Sequence, residues 1–204
     1  MTSDDITIHR GLTGVYFDRS ATTFIDGKNG VLEYRGYNIN QLAEHSTFEE
    51  TGYLLIHGKL PTQAELNDFD AELKAARELP EQVFDVLELV KDSHPMDALR
   101  TAVSALASFD EDRNDNSPEA TIRKGNRLTS QVPSIVMAHH NIRQGKDPIK
   151  PSTVLNHAGN FLYMLNGDEP SAATAELMDK DFVLHADHGS NASAFTARVV
   201  AGTA

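Results

Sequence analysis

The densest group of side chains able to do chemistry is His185-Ala186-Asp187-His188-Gly189-Ser190-Asn191-Ala192-Ser193. Histidine is the side chain best suited to exchange or donate a proton near neutral pH. Two of them, with Asp, Ser and Asn close by, can bind a small polyanion and orient a reacting group. The same residues admit two other readings. The segment can be a capped helix junction, with Asn191 or Ser190 as the capping residue and the histidines exposed or hydrogen-bonded. Alternatively, His185, Asp187 and His188 are ligand types that zinc would accept, which would suit a metal-dependent hydrolase. Against metal, no third ligand is evident and the other acids are scattered.

The remaining histidines carry less. His139 and His140 are adjacent, so on a helix they diverge and cannot chelate together. His94 precedes Pro95, at a helix entrance. His9, His45, His57 and His157 are isolated and read as structural or surface residues. No phosphate-binding Gly-rich loop, dinucleotide pattern or Gly-x-Ser-x-Gly elbow occurs.

Composition narrows the classes further. The chain has 204 residues, 40% of them hydrophobic, which suffices for one core or at most two domains. With 18 basic and 30 acidic residues it carries a formal net charge of −12. Such a surface repels nucleic acid and anionic membranes, so neither is expected as a partner. An anion site must therefore be a local cluster of His, Arg or backbone N–H groups. The absence of cysteine excludes disulfides, thiolate nucleophiles and iron–sulfur ligation. Met1 to Arg10 is polar, and no apolar run approaches the roughly 20 residues that span a bilayer. The expected location is cytoplasmic.

The elements that must position the cluster are mostly helical. Residues 11–37 form the one β-rich stretch: Thr22 to Ile25 and Val31 to Tyr34 flank an Asp-Gly and Asn-Gly turn, which predicts a hairpin. From residue 38 on, helical signals dominate. Capping boxes are expected at Ser46/Glu49 and Thr62/Glu65, with a stop at Gly58. Leu66, Phe69, Leu73 and Ala76 follow helical spacing, as do Val83, Val86, Leu87 and Val90. Pro80, Pro95 and Pro118 suit first helical turns. Pro133 is expected to break or kink its segment. Residues 152–165 should be helical, ending at Gly167, and a last helix should carry Phe195 and Arg198 to Ala204 without a terminal cap. The fold expected is mainly α, with a hairpin segment (1–37) preceding a helical domain (38–204).

Several stretches, in order, resemble citrate synthases and 2-methylcitrate synthases. They are Gly11-Leu-Thr-Gly-Val15, Leu32-Glu-Tyr-Arg-Gly-Tyr-Asn-Ile39, Leu54-Leu-Ile-His-Gly-Lys-Leu-Pro61, His94-Pro-Met-Asp-Ala-Leu-Arg-Thr101, Asn160-Phe-Leu-Tyr-Met164 and the segment His185 to Arg198. The last resembles the family's oxaloacetate-binding stretch. The resemblance implies the N-terminal part of a multi-helix large domain and an acyltransferase that condenses oxaloacetate with acetyl-CoA or propionyl-CoA. These are substrates, and no separate cofactor is implied. His188 matches the histidine that polarises the oxaloacetate carbonyl. Ser193 matches a serine that orients the catalytic histidine. Asn191 fixes the turn between them, and His185 lies beside the site. Ala194 stands where many relatives have Thr, and Gly189-Ser190 replaces their usual pair. The family dimerises through helices of this region, so a homodimer is implied.

The family's later motifs are absent from the 204 residues: Pro-x-His-Gly-Gly-Ala-Asn with its catalytic histidine, Gly-Phe-Gly-His, and the enolising aspartate. A polarising histidine cannot by itself abstract a methyl proton. The expectation is therefore a partial oxaloacetate site, inactive alone. Such a half is also expected to aggregate or fold only in part. A non-catalytic dimerisation or interaction module derived from the family is the remaining alternative.

Overall fold

The computed structural model describes residues 9–12, 14–15 and 19–202. Thr13, part of the Gly11–Val15 stretch, lies outside the described residues. The β hairpin is present and gains a third strand. Strand β1 (Thr23–Asp26) pairs antiparallel with β2 (Val31–Tyr34), which pairs with the two-residue β3 (Tyr37–Asn38). In the register Thr23 stands opposite Tyr34 and Asp26 opposite Val31. Asp26 closes the first turn by accepting from the N–H groups of Lys28 and Asn29. Arg35 takes a positive φ of 52° between β2 and β3. Its guanidinium compensates by donating to the Leu55 carbonyl, at 2.7 Å from Nη2 and 3.2 Å from Nε.

The helices follow. They are α1 (Ile39–His45), α2 (Phe48–His57), α3 (Gln63–Ala75), α4 (Glu81–Leu89), α5 (Pro95–Leu106), α6 (Pro118–Arg143), α7 (His157–Asn166), α8 (Ala172–Leu184) and α9 (Ala192–Ala201). Thr62 and Glu65 form the expected capping box of α3. Pro95 and Pro118 open α5 and α6 inside their first turns, and Gly58 and Gly167 close α2 and α7 in the left-handed conformation.

Five local expectations need correction. The box of α2 is Thr47/Glu50, one residue beyond Ser46/Glu49. The Ser46 N–H is already spent on the Leu42 carbonyl at the end of α1, and the Glu49 carboxylate turns inward to accept from the His157 N–H at 2.7 Å. Pro80 occupies the cap of α4 and the helix starts at Glu81. Pro133 does not break α6, which runs for 26 residues through it. A proline deletes one N–H, but buried side chains on both sides of it, from Asn126 and Ser130 to Ser134 and Ile135, tie the two halves of α6 to the same interior. Residues 152–155 are not helical, because their polar groups are taken. Asn160 Oδ1 accepts from the Ser152 N–H, and Ser152 Oγ accepts from the N–H groups of Val154 and Leu155. Helix α7 starts only after Asn156 caps the Gly159 N–H. A Cβ at position 159 would sit 2.7 Å from that capping oxygen, so the cap needs glycine there. The last helix, expected to reach Ala204, ends at Ala201 with Gly202 in the cap position; Ala204 lies outside the described residues.

Beside a smaller cluster of Tyr53, Phe69 and Leu73 between α2 and α3, two apolar centres hold the helices. One joins Val83 and Leu87 of α4, Ala102 and Leu106 of α5, and Ile135, Ala138 and Ile142 of α6. The other joins Tyr34 of the hairpin, Ile39 and Leu42 of α1, Leu54 of α2 and Val183 of α8. The hairpin is thus built into a core with α8, whose C-terminus delivers the His185–Ser193 segment. Among the described residues no helix is long and apolar enough to cross a membrane.

Candidate active site

Helix α8 ends at Leu184, and His185 takes its C-terminal cap position. The Asp181 carbonyl can only accept, so His185 Nδ1 donates to it, at 2.8 Å. A histidine at this end also suits the negative pole of the helix. His185 is therefore engaged in finishing α8. Asn191 caps α9 by accepting from the Ala194 N–H at 2.8 Å. The sequence alternatives of a capped junction and a polar binding cluster turn out to be compatible: caps fix both ends of the turn, and His188 is left exposed at its middle. Gly189 follows with a φ of 65°, a conformation that costs glycine little. Ser193 is exposed in the first turn of α9.

The turn rests on the hairpin. The Tyr34 side chain is fully buried. Its hydroxyl donates to the Leu184 carbonyl at 3.1 Å and accepts from the Asp187 N–H at 3.3 Å. Burial, with the nearby Asp187 carboxylate adding to it, holds the phenol above its ordinary pKa, so it remains a donor. Opposite Tyr34 in the register, Thr23 donates its hydroxyl to the Asp187 carboxylate. Sequence reasoning placed Asp187 in the polar cluster and among possible metal ligands, and gave Tyr34 and Thr23 no role in the site. The available signal was the Tyr-Arg-Gly-Tyr run, where a phenol leads into a tight turn.

The metal reading gains no support. His185 faces Asp181, and Asp187 faces Thr23. Among the described residues no group of three or more His, Asp or Glu side chains could hold a metal ion.

A second polar group, which the sequence did not reveal, lies in the interior between α2, α7 and α8. Arg77 is 1% exposed, and its Nη1 donates to the carbonyls of Ser152 at 2.7 Å and Leu155 at 2.9 Å. Asp179 accepts from the Phe48 N–H at the start of α2. Burial raises the Asp179 carboxyl to about 6, with the negative charge of Glu49 adding to the effect. Burial likewise raises Glu49. His157 stacks on Phe48 with centroids 4.6 Å apart, and burial followed by the Arg77 charge lowers it to about 4. This histidine is neutral at physiological pH and shut away from any substrate.

The comparisons with known proteins agree with the geometry. The family described as "Citrate synthase, C-terminal domain" matches residues 11–204. The citrate synthase of Deinococcus radiodurans is 47% identical over 197 residues, covering 96% of this chain and 52% of that protein. The 2-methylcitrate synthase of Mycobacterium tuberculosis is 38% identical over 197 residues, covering 96% of this chain and 50% of that protein. The crystal structure of citrate synthase from Pyrobaculum aerophilum superposes with a TM-score of 0.91 at 38% identity, covering 96% of this chain and 51% of that one. The chain spans about half the length of the curated relatives it matches. Its helical architecture, its small antiparallel sheet and a match running almost from end to end all point the same way: the chain belongs to the citrate synthase family.

Proposed function

We propose that this chain supplies the carbonyl-polarising part of a citrate synthase-type acyltransferase, which condenses oxaloacetate with acetyl-CoA or propionyl-CoA. The observation that carries the reading is the placement of His188. It is exposed at the middle of a turn whose two ends are fixed by the caps of α8 and α9. A donor held this way can hydrogen-bond the ketone oxygen of oxaloacetate. When the carbon is attacked, that oxygen becomes an alkoxide, and a donor already aimed at it stabilises the charge without reorganising. Asn191 fixes the turn. Ser193 stands ready to orient a histidine that the 204 residues do not contain. His185 is a weaker candidate for substrate contact, since one of its nitrogens is spent on Asp181.

Condensation also needs a base to remove a proton from the acyl methyl or methylene carbon. The family's base belongs to motifs absent from this sequence, so the chain alone binds and polarises but does not turn over. A thiol-release assay with oxaloacetate and either acyl-CoA should give no product from the chain, while oxaloacetate should perturb the His188 side-chain resonances. Robust thiol release would place the base among the residues described above and overturn this mechanism. No oxaloacetate-dependent perturbation, in a folded sample, would remove His188 from the site.

A homodimer is the proposed assembly. An exposed groove of about 470 Å³ between α5 and α6, lined by Pro95, Met96, Leu99, Val136 and Arg143, is the surface that suits it. Sedimentation that stays monomeric at concentrations well above those of the assay would reject it.

A further inference from the structure

The hairpin touches the candidate site at one point and does so with a matched pair of residues. Thr23 and Tyr34 face each other across β1 and β2. The Thr23 hydroxyl donates to the Asp187 carboxylate, and the Tyr34 hydroxyl accepts from the Asp187 N–H. Tyr34 also donates to the Leu184 carbonyl, so its single oxygen bridges the last residue of α8 and the residue before His188. Both polar ends of Asp187 are therefore fixed by one rung of one sheet. That rung cannot drift. Tyr34 packs with Leu54 and Val183, and Arg35 ties the adjoining turn to the end of α2 through the Leu55 carbonyl.

We infer that Thr23 and Tyr34 are positioning residues for His188, acting through Asp187, so that the β hairpin sets the direction in which the polarising imidazole points. The inference rests on the reading of His188 as the oxaloacetate donor. Neither hydroxyl touches substrate. Their effect is to remove alternative orientations of the residue that does. A turn of this kind without the anchor would sample several backbone states, and a donor aimed at a developing charge loses its advantage when it must be reoriented.

The test uses the isotopically labelled 204-residue chain and the variants Tyr34→Phe, Thr23→Val and Tyr37→Phe. The first two remove only the hydroxyls in question. The third removes an exposed hydroxyl from the same hairpin and serves as control. Exchange of the Asp187 amide, which the Tyr34 hydroxyl accepts, should rise about tenfold in Tyr34→Phe, the measure of one lost buried hydrogen bond. It should rise less in Thr23→Val and not at all in Tyr37→Phe, while the ladder amides of Ile25 and Leu32 stay protected. Unchanged exchange at Asp187 would overturn the inference. So would an equal rise across β1, β2 and α2, which would mean a merely structural loss. If Tyr34→Phe fails to fold, Thr23→Val decides by the same pattern. Oxaloacetate titration separates the two readings. Binding by the parent chain with a several-fold weaker, less shifted His188 signal in Tyr34→Phe supports both. Equal binding by parent and variant overturns the positioning role alone. A folded parent chain that ignores oxaloacetate overturns the functional reading on which it rests.

Discussion

Two histidines, His157 and His188, sit in opposite kinds of polar environment, and the contrast shows what each environment permits. His157 is 5% exposed, stacked on Phe48, and set among Glu49, Arg77 and Asp179. Burial there makes an unpartnered charge costly. The group ties α2, α7 and α8 into one arrangement. His188 lies in the open, and its position is fixed from behind by backbone and by neighbours. Its own nitrogens are not what holds the turn together. Two residues of the same type are thus placed in opposite environments, one sealed and one open.

The sharpest way to break the comparison is at Arg77. Arg77→Met leaves the Ser152 and Leu155 carbonyls without their donor and Glu49 without its nearby positive charge. The expected loss is about 3 kcal/mol, read as a lower urea midpoint at unchanged slope. A loss below about 1 kcal/mol would mean that the interior group is not what joins these helices.

The next effect depends on pH, and its two parts oppose each other. His157 is lowered to about 4 from an ordinary 6.5. The unfolded chain therefore binds the proton more tightly, and this contribution is present above pH 6.5 and lost as pH falls to about 4. Asp179 is raised to about 6 from 3.8. Here the folded chain binds the proton more tightly, so this contribution is present below pH 3.8 and lost as pH rises through about 6. Each amounts to about 3 kcal/mol at most. Between pH 4 and 6 the two slopes oppose each other in the parent chain, and the raised Glu49 carboxyl adds to the falling one. Asp179→Asn should expose a stability that rises with pH over that window, and His157→Gln one that falls. Identical profiles in both variants would show that these groups are not linked to folding.

Smaller effects belong to the site. Asn191→Ala should weaken the start of α9 by about 1 kcal/mol, visible as faster amide exchange in its first turn. His188→Ala should leave global stability within about 0.5 kcal/mol while abolishing the oxaloacetate response. A large loss of stability in His188→Ala would erase the distinction between the two histidines.

Much of this was legible from the residues. Local backbone chemistry identified the hairpin turn, the Thr62/Glu65 box, the proline starts at 95 and 118 and the glycine stops at 58 and 167, because each depends on neighbours within a few positions. The family was legible from ordered stretches such as Tyr34-Arg-Gly-Tyr37 and His185–Arg198. Reading failed where a residue's local preference was overruled by a distant partner. Glu49 looked like half of a capping box and instead turns inward to the His157 N–H, 108 positions away in sequence. Residues 152–155 looked helical and are held open by Arg77 and Asn160.

The sequence by itself determined the helical class, the family and the chemical type of the candidate donor. Only the tertiary structure decided which histidine is sealed in and which is offered to solvent. It alone decided that Thr23 and Tyr34 meet Asp187, across separations of 164 and 153 residues. The physical reason is that side-chain type and local spacing limit what a residue can do, whereas burial and partnership depend on which distant surfaces pack together. Here the packing of the hairpin against α8 brings those surfaces into contact.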